Sequence, residues 1–293
     1  MTAATPKPLA ISPSRAADYR QCPLLYRLRT IDKLPEPKSI HQVRGTLVHA
    51  VLETMFDWPR DQRTYPAAVK QLRPAWAAMR EQEPECAEPV ADEMQLLIEA
   101  RLLLRGYFSM ENPVGFDPKA QEMYVNAVLP NGVPVRGFID RVDVAPTGEV
   151  RVVDYKTGKM PKPQYSATAV AQMRFYGLVY WRLFGVIPTQ LKLMYLGVMD
   201  SLILTPSREE LEFFERDLGD LWQKIVADGQ AGSFRPRTSR LCDWCPHQAL
   251  CPAFGGTPPP YPGWPGSAAD AVAEVSEVLA DGANPAAPGT PQP

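Results

Sequence analysis

Gly137-Phe138-Ile139-Asp140-Arg141-Val142-Asp143-Val144-Ala145-Pro146-Thr147-Gly148-Glu149-Val150-Arg151-Val152-Val153-Asp154-Tyr155-Lys156 is the stretch on which the reading of this chain turns. Two runs rich in β-branched residues flank Ala145–Glu149, whose Pro and Gly form turns, so the segment reads as an antiparallel hairpin centred near Thr147. Pairing about that centre sets Val144 against Val150, Val142 against Val152 and Asp140 against Asp154 on one face, with Lys156 two residues beyond. The opposite face then matches Asp143 with Arg151, an ion pair that a one-residue slip would lose.

That register ends one face in two carboxylates, about 5 Å apart at Cβ if directly opposed. Two such acids repel unless a cation lies between them, and oxygen ligands with open water positions suit Mg²⁺ or Mn²⁺. The plainer alternative is an ordinary hairpin in which Asp140 pairs with Lys156 and Asp154 caps a turn.

The string as a whole resembles motifs II and III of the PD-(D/E)xK nuclease superfamily, specifically its RecB-like exonuclease branch, with Asp154 where many members carry Glu. Other segments match in family order. Ser12-Pro13-Ser14 through Tyr19 and Cys22-Pro23 looks like the family's first helix, and Gly45-Thr46-Leu47-Val48-His49 resembles motif I, whose His is a metal ligand. Gln172 and Tyr176 match the Gln-x3-Tyr helix that follows motif III and borders the active site; Cys242, Cys245 and Cys251 match a C-terminal cysteine trio.

The resemblance implies an α/β fold with a restriction-endonuclease-like core, a mixed central β-sheet flanked by helices. It implies metal-assisted phosphodiester hydrolysis, with His49, Asp140, Asp154 and the Tyr155 carbonyl holding Mg²⁺ or Mn²⁺, Lys156 positioning the attacking water, and Gln172 and Tyr176 orienting the strand. Read alone, the cysteine trio needs a fourth ligand to close a tetrahedral site, for which Cys22, Cys86 and His247 are candidates. The acidic setting of Cys86 disfavours it. The resemblance selects Cys22, and implies that Cys22, Cys242, Cys245 and Cys251 hold a [4Fe–4S] cluster stapling the C-terminus to the first helix; zinc in the same thiolates is the alternative.

Periodicity sets out the rest. Residues 1–10 read as a disordered leader, 11–254 as the nuclease domain and 255–293 as a disordered Pro/Ala/Gly-rich tail with a short helix possible at 268–280. Helices are expected over 12–30, 41–57, 65–82, 91–110, 166–184 and 207–229, and strands near 120–129 and 189–199, with 60–112 an inserted helical region and 242–251 the cysteine loop.

Composition excludes some classes. No apolar run reaches the ~18 residues of a membrane span and no signal peptide precedes Ile11, so a cytoplasmic, nucleoid-associated protein is expected. Net charge is −2, but four acids and no Lys or Arg follow Gly255, and the first fifty residues carry eight Lys or Arg against three acids. The uneven charge permits a local phosphate-binding surface. The chain has no Gly-x4-Gly-Lys-Ser/Thr loop, so unwinding would fall to a separate helicase. The expected substrate is DNA, single-stranded or at its ends, in repair or recombination. The alternatives are a CRISPR-associated end-processing nuclease, or a non-catalytic nucleic-acid-binding module acting with a helicase.

Overall fold

A computed structural model describes residues 9–162, 164 and 166–265. Its centre is a five-stranded sheet in the order β1-β2-β3-β4-β5: β1 Ala120–Val128, β2 Pro134–Val144, β3 Val150–Lys156, β4 Gln190–Tyr195 and β5 Asp200–Leu204. All neighbours are antiparallel except β3 and β4, which are parallel because α6 (Ala167–Phe184) crosses between them. The mixed sheet expected of the core is therefore present.

The hairpin register holds for Arg141–Val153, Val142–Val152, Asp143–Arg151 and Val144–Val150, and Arg151 lies 2.8 Å from Asp143. The ladder stops one pair short of Asp140 and Asp154: the Asp140 carboxylate instead accepts the Tyr155 N–H at 2.7 Å. The β1–β2 ladder likewise skips one rung, Glu122 opposite Asp140, where Glu122 takes a φ of 39°. Ile139 and Val142 share one core cluster although three positions apart, so period-2 alternation along β2 is broken between them. The expectation of one uninterrupted face from Val144 to Asp140 is corrected accordingly.

Each face of the sheet is covered. On one side α1 (Pro13–Gln21), α2 (Pro23–Tyr26), α6 and α7 (Arg208–Ala231) bury Val142, Val152, Leu191 and Leu193. On the other, α3 (Ile40–Phe56), α4 (Tyr65–Gln82) and α5 (Glu93–Met110) bury Val153, Tyr155, Met194 and Leu196. The helices expected as an insertion thus form a layer of the core, and Cys86 is a buried member of it.

Three local expectations change. The helix read over 12–30 is broken at Cys22, which is extended (φ −160°, ψ 115°) because the following Pro23 excludes the helical region for its neighbour. The strand read over 189–199 ends at Tyr195, and the chain reverses through 196–199, with Met199 at φ 56°, into β5. The first residues of the expected tail are packed: the Trp264 ring lies flush on Gly229, where a Cβ would collide with it, and the Tyr261 hydroxyl donates to the Gly229 carbonyl. Leu9 and Ala10, at the end of the expected leader, are buried. The remainder of the leader and of the tail, with the helix at 268–280, lies outside the described residues. Among those described, no helix is long and apolar enough to cross a membrane.

Candidate active site

His49, Asp140, Asp154, Tyr155, Lys156, Gln172 and Tyr176 line one cleft of about 720 Å³. Their convergence follows from the elements that carry them. Ser39 caps α3 in a reciprocal box with Gln42, and the stripe of Val43, Leu47, Val48 and Val51 packs that helix on the sheet, which leaves His49 at the cleft wall. Its Nε2 lies 3.0 Å from the Tyr155 carbonyl oxygen, and its Nδ1 lies 3.5 Å from Asp140 Oδ2. Both contacts suit an imidazolium, which donates from each nitrogen.

Asp154 is held otherwise. Lys156 Nζ contacts Asp154 Oδ2 at 2.7 Å and Gln172 Oε1 at 2.8 Å, while Gln172 Nε2 donates to Asp154 Oδ1 at 2.7 Å. The three side chains close a ring between β3 and α6. Lys156 therefore pairs with Asp154, and the alternative of an Asp140–Lys156 ion pair is not what forms. Tyr176, one turn beyond Gln172, seats its ring against Gly137, where a Cβ would stand 3.1 Å from it, so strand and helix meet without a side chain between them.

Sequence reasoning missed Glu122. Among the described residues, the metal-ligating atoms that converge to within 4.8 Å of one another are those of His49, Glu122 and Asp140. Counted on from the last paired residues, the β1–β2 and β2–β3 registers bring Glu122, Asp140 and Asp154 level on three adjacent strands, at the point where both ladders are interrupted. Its signal was available only through the pairing of β1 with β2, since nothing in Met123 or Tyr124 marks the acid.

The concentration of charge shows in the titration of the site. Burial opposes charge on His49, but Glu122, Asp140 and Asp154 outweigh it and raise its pKa to about 9. Burial first, and then the Asp154 charge, push the Asp140 carboxyl up to about 7 against the pull of His49. An excess of carboxylates held in a cleft, relieved by Lys156 and by protons on His49 and Asp140, is a site that favours a cation.

Beneath it lies a second feature absent from the sequence reading. Arg141 is fully buried, 2.8 Å from Glu111, 3.0 Å from Asp143, and donates to the Tyr155 hydroxyl at 2.6 Å. It fixes the far end of Tyr155, whose carbonyl faces His49.

The four expected cysteines lie elsewhere, around one small cavity with His247. Cys22 accepts the Arg237 N–H at 3.4 Å and Cys242 accepts the Ser239 N–H at 3.3 Å; burial, with Cys22 and Cys242 nearby, pushes the Cys245 thiol up. His247 Nε2 is engaged by Glu36 at 2.7 Å. Cys86 is in the other core cluster.

The sequence profile of the PD-(D/E)XK nuclease superfamily matches residues 10–252. This chain belongs to the PD-(D/E)XK nuclease superfamily. Among related nucleases and phage proteins, it is 28% identical over 198 residues to the gene 69 protein of Mycobacterium phage D29, covering 60% of this chain and 70% of that one. It is 29% identical over 160 residues to an ATP-dependent helicase/deoxyribonuclease component of Streptococcus equi subsp. zooepidemicus, covering 52% of this chain but 14% of that much longer protein. A crystal structure of an exonuclease candidate from Eubacterium rectale superposes with a TM-score of 0.54 at 12% identity, covering 81% of this chain and 87% of that one, which is a likeness of fold.

Proposed function

We propose that this PD-(D/E)XK nuclease is a metal-dependent deoxyribonuclease that acts as an exonuclease on DNA ends in repair or recombination. The observation that carries the reading is the convergence of His49, Asp140, Asp154, Lys156, Gln172 and Tyr176, contributed by α3, β2, β3 and α6, on one cleft. Mg²⁺ or Mn²⁺ would be held by His49, Asp140, Asp154 and the Tyr155 carbonyl, and the convergence of ligand atoms adds Glu122 to that set. The donors fit, being hard oxygens with one imidazole. A bound divalent ion polarises a phosphoryl oxygen and acidifies water.

The chain's own groups do the rest. Lys156, tethered by Asp154 and Gln172, presents an ammonium where negative charge grows on the phosphoryl oxygens during attack. Gln172 holds that ammonium and Asp154 in fixed relation. Tyr176 and Gln172 orient the strand being cut, and His49 and Asp140 release their protons when the cation enters.

The four cysteines are proposed to hold a [4Fe–4S] cluster. They surround one cavity, and backbone N–H groups point at two of the sulfurs. The staple would add to contacts already joining the chain's ends: the Tyr19 hydroxyl donates to Asp228 at 2.7 Å, and Arg237 donates to the Arg20 carbonyl at 2.6 Å. The name of the streptococcal relative suggests a helicase as a working partner for this chain too.

End-labelled linear DNA incubated with Mg²⁺ or Mn²⁺ tests the assignment. The wild-type protein should release labelled nucleotides, a circular single strand should resist, and Lys156→Ala or Asp154→Ala should be inactive while folded. Metal-dependent cleavage by either variant would remove the catalytic roles, and degradation of the circle would replace exonuclease by endonuclease.

A further inference from the structure

Two pairs of side chains on the cleft wall take no part in the metal chemistry. Tyr124 and Phe138 face each other across β1 and β2, their ring centroids 5.0 Å apart and their planes inclined at 44°. Both line the cleft, yet they are 51% and 54% exposed. They stand two residues along from Glu122 and Asp140, which along a strand is about 7 Å. Arg15, on α1, and Arg136, on β2, line the same cleft. Arg15 donates to the Ala10 carbonyl at 2.9 Å; neither guanidinium has a carboxylate within ion-pair reach among the described residues. Burial and the neighbouring Arg136 charge together lower the Arg15 pKa. Two guanidiniums on one cleft wall, with no acid among the described residues to neutralise them, leave a demand for an outside anion.

We propose that Tyr124 and Phe138, with Arg15 and Arg136, form a seat for an unpaired nucleotide next to the bond being cut, so that the cleft takes single-stranded polynucleotide. This rests on the nuclease reading of the same cleft. An aromatic pair left in water beside a phosphodiester site offers a stacking surface of the kind that binds bases of any sequence. Only a base out of its duplex exposes a face to it, because paired bases are covered above and below by their neighbours. The two guanidiniums take phosphate oxygens of the same strand, which sets register without reading sequence. The seat lines the same cleft as the acids and brings two guanidiniums to it.

The test separates seating from cutting. Binding of a fluorescent oligothymidylate and of a blunt hairpin duplex is followed by anisotropy in EDTA, where no metal-dependent cleavage occurs. The double variant Tyr124→Ala/Phe138→Ala should lose single-strand affinity by about 5- to 100-fold, the loss of one or two stacked bases, and change duplex affinity by less than about twofold. Tyr124→Trp should retain single-strand binding, and its fluorescence should be quenched on binding. Arg136→Gln should lower the slope of log affinity against log salt by about one. Unchanged single-strand affinity in the double variant, or an equal loss on both probes, overturns the seat. Mn²⁺-dependent hydrolysis of the small diester bis(p-nitrophenyl) phosphate needs the cleft acids but not the seat, so the double variant should match wild type there. If wild type hydrolyses neither the diester nor DNA, the nuclease reading fails while the binding comparison still decides the seat. Both rings are about half exposed, so the unfolding midpoint should fall only slightly, and the Trp and Gln variants decide the matter should the double variant not fold.

Discussion

Replacing Glu122 by Gln keeps the side chain's size and removes one charge from the group that converges within 4.8 Å. A unit charge pair at 4 Å in a partly wetted protein environment is worth about 4 kcal/mol, and a divalent ion would gain more. Two effects offset it: the carboxylate is 30% exposed, and both ion and acid lose hydration on meeting. A net loss of about 1.5–3 kcal/mol remains, or roughly 10- to 100-fold in affinity. Calorimetric titration of metal-stripped protein with Mn²⁺, without DNA, reads this directly. The same variant should also lower the His49 pKa, since the Glu122 carboxylate, 3.9 Å from Nδ1, is the first of the influences that raise it. Mn²⁺ affinity within about twofold of wild type would refute the place of Glu122 among the ligands.

Acidity should govern the same equilibrium. His49 and Asp140 both hold protons more tightly than ordinary groups, and a cation must displace them, so affinity falls as pH drops below each raised pKa. Mn²⁺ binding should tighten by about tenfold or more between roughly pH 6.5 and 8.5, with proton release visible in buffers of different ionisation enthalpy; a flat profile would contradict the protonated resting state. For the cysteine cavity, anaerobically purified protein should be brown and contain iron and acid-labile sulfide, and Cys22→Ala should lose both colour and stability. A colourless protein with one zinc per chain would rule the cluster out.

The hairpin was legible because two independent signals, the paired valines and the Asp143–Arg151 ion pair, agreed on one register. Residues in motif order, His49, Asp154, Lys156 and Gln172, were legible through resemblance, and the fold brings them together. Cys22-Pro23 held its own warning that the first helix breaks, since a residue before proline avoids the helical region. Other features could not be read locally. The reversal between β4 and β5 has Met199, not Gly197, at positive φ, so the glycine within the apolar run does not mark the residue that turns the chain. Glu122 gains its meaning only from a partner on the next strand, and buried Arg141 only from Glu111, thirty residues away. The docking of Tyr261 and Trp264 depends on a bare Gly229 on a distant helix, which composition averages away.

The proposed nuclease rests on one arrangement, a cation bound in the cleft by His49, Glu122 and Asp140 with Asp154 on the neighbouring strand. A crystal of the protein soaked in Mn²⁺, with anomalous difference density collected at the manganese edge, tests it most directly. A peak is expected within coordination distance of His49, Asp140 and Asp154, with Glu122 as a further ligand and the Tyr155 carbonyl facing it. Manganese found only on surface carboxylates, with the cleft bare of anomalous density, would contradict it.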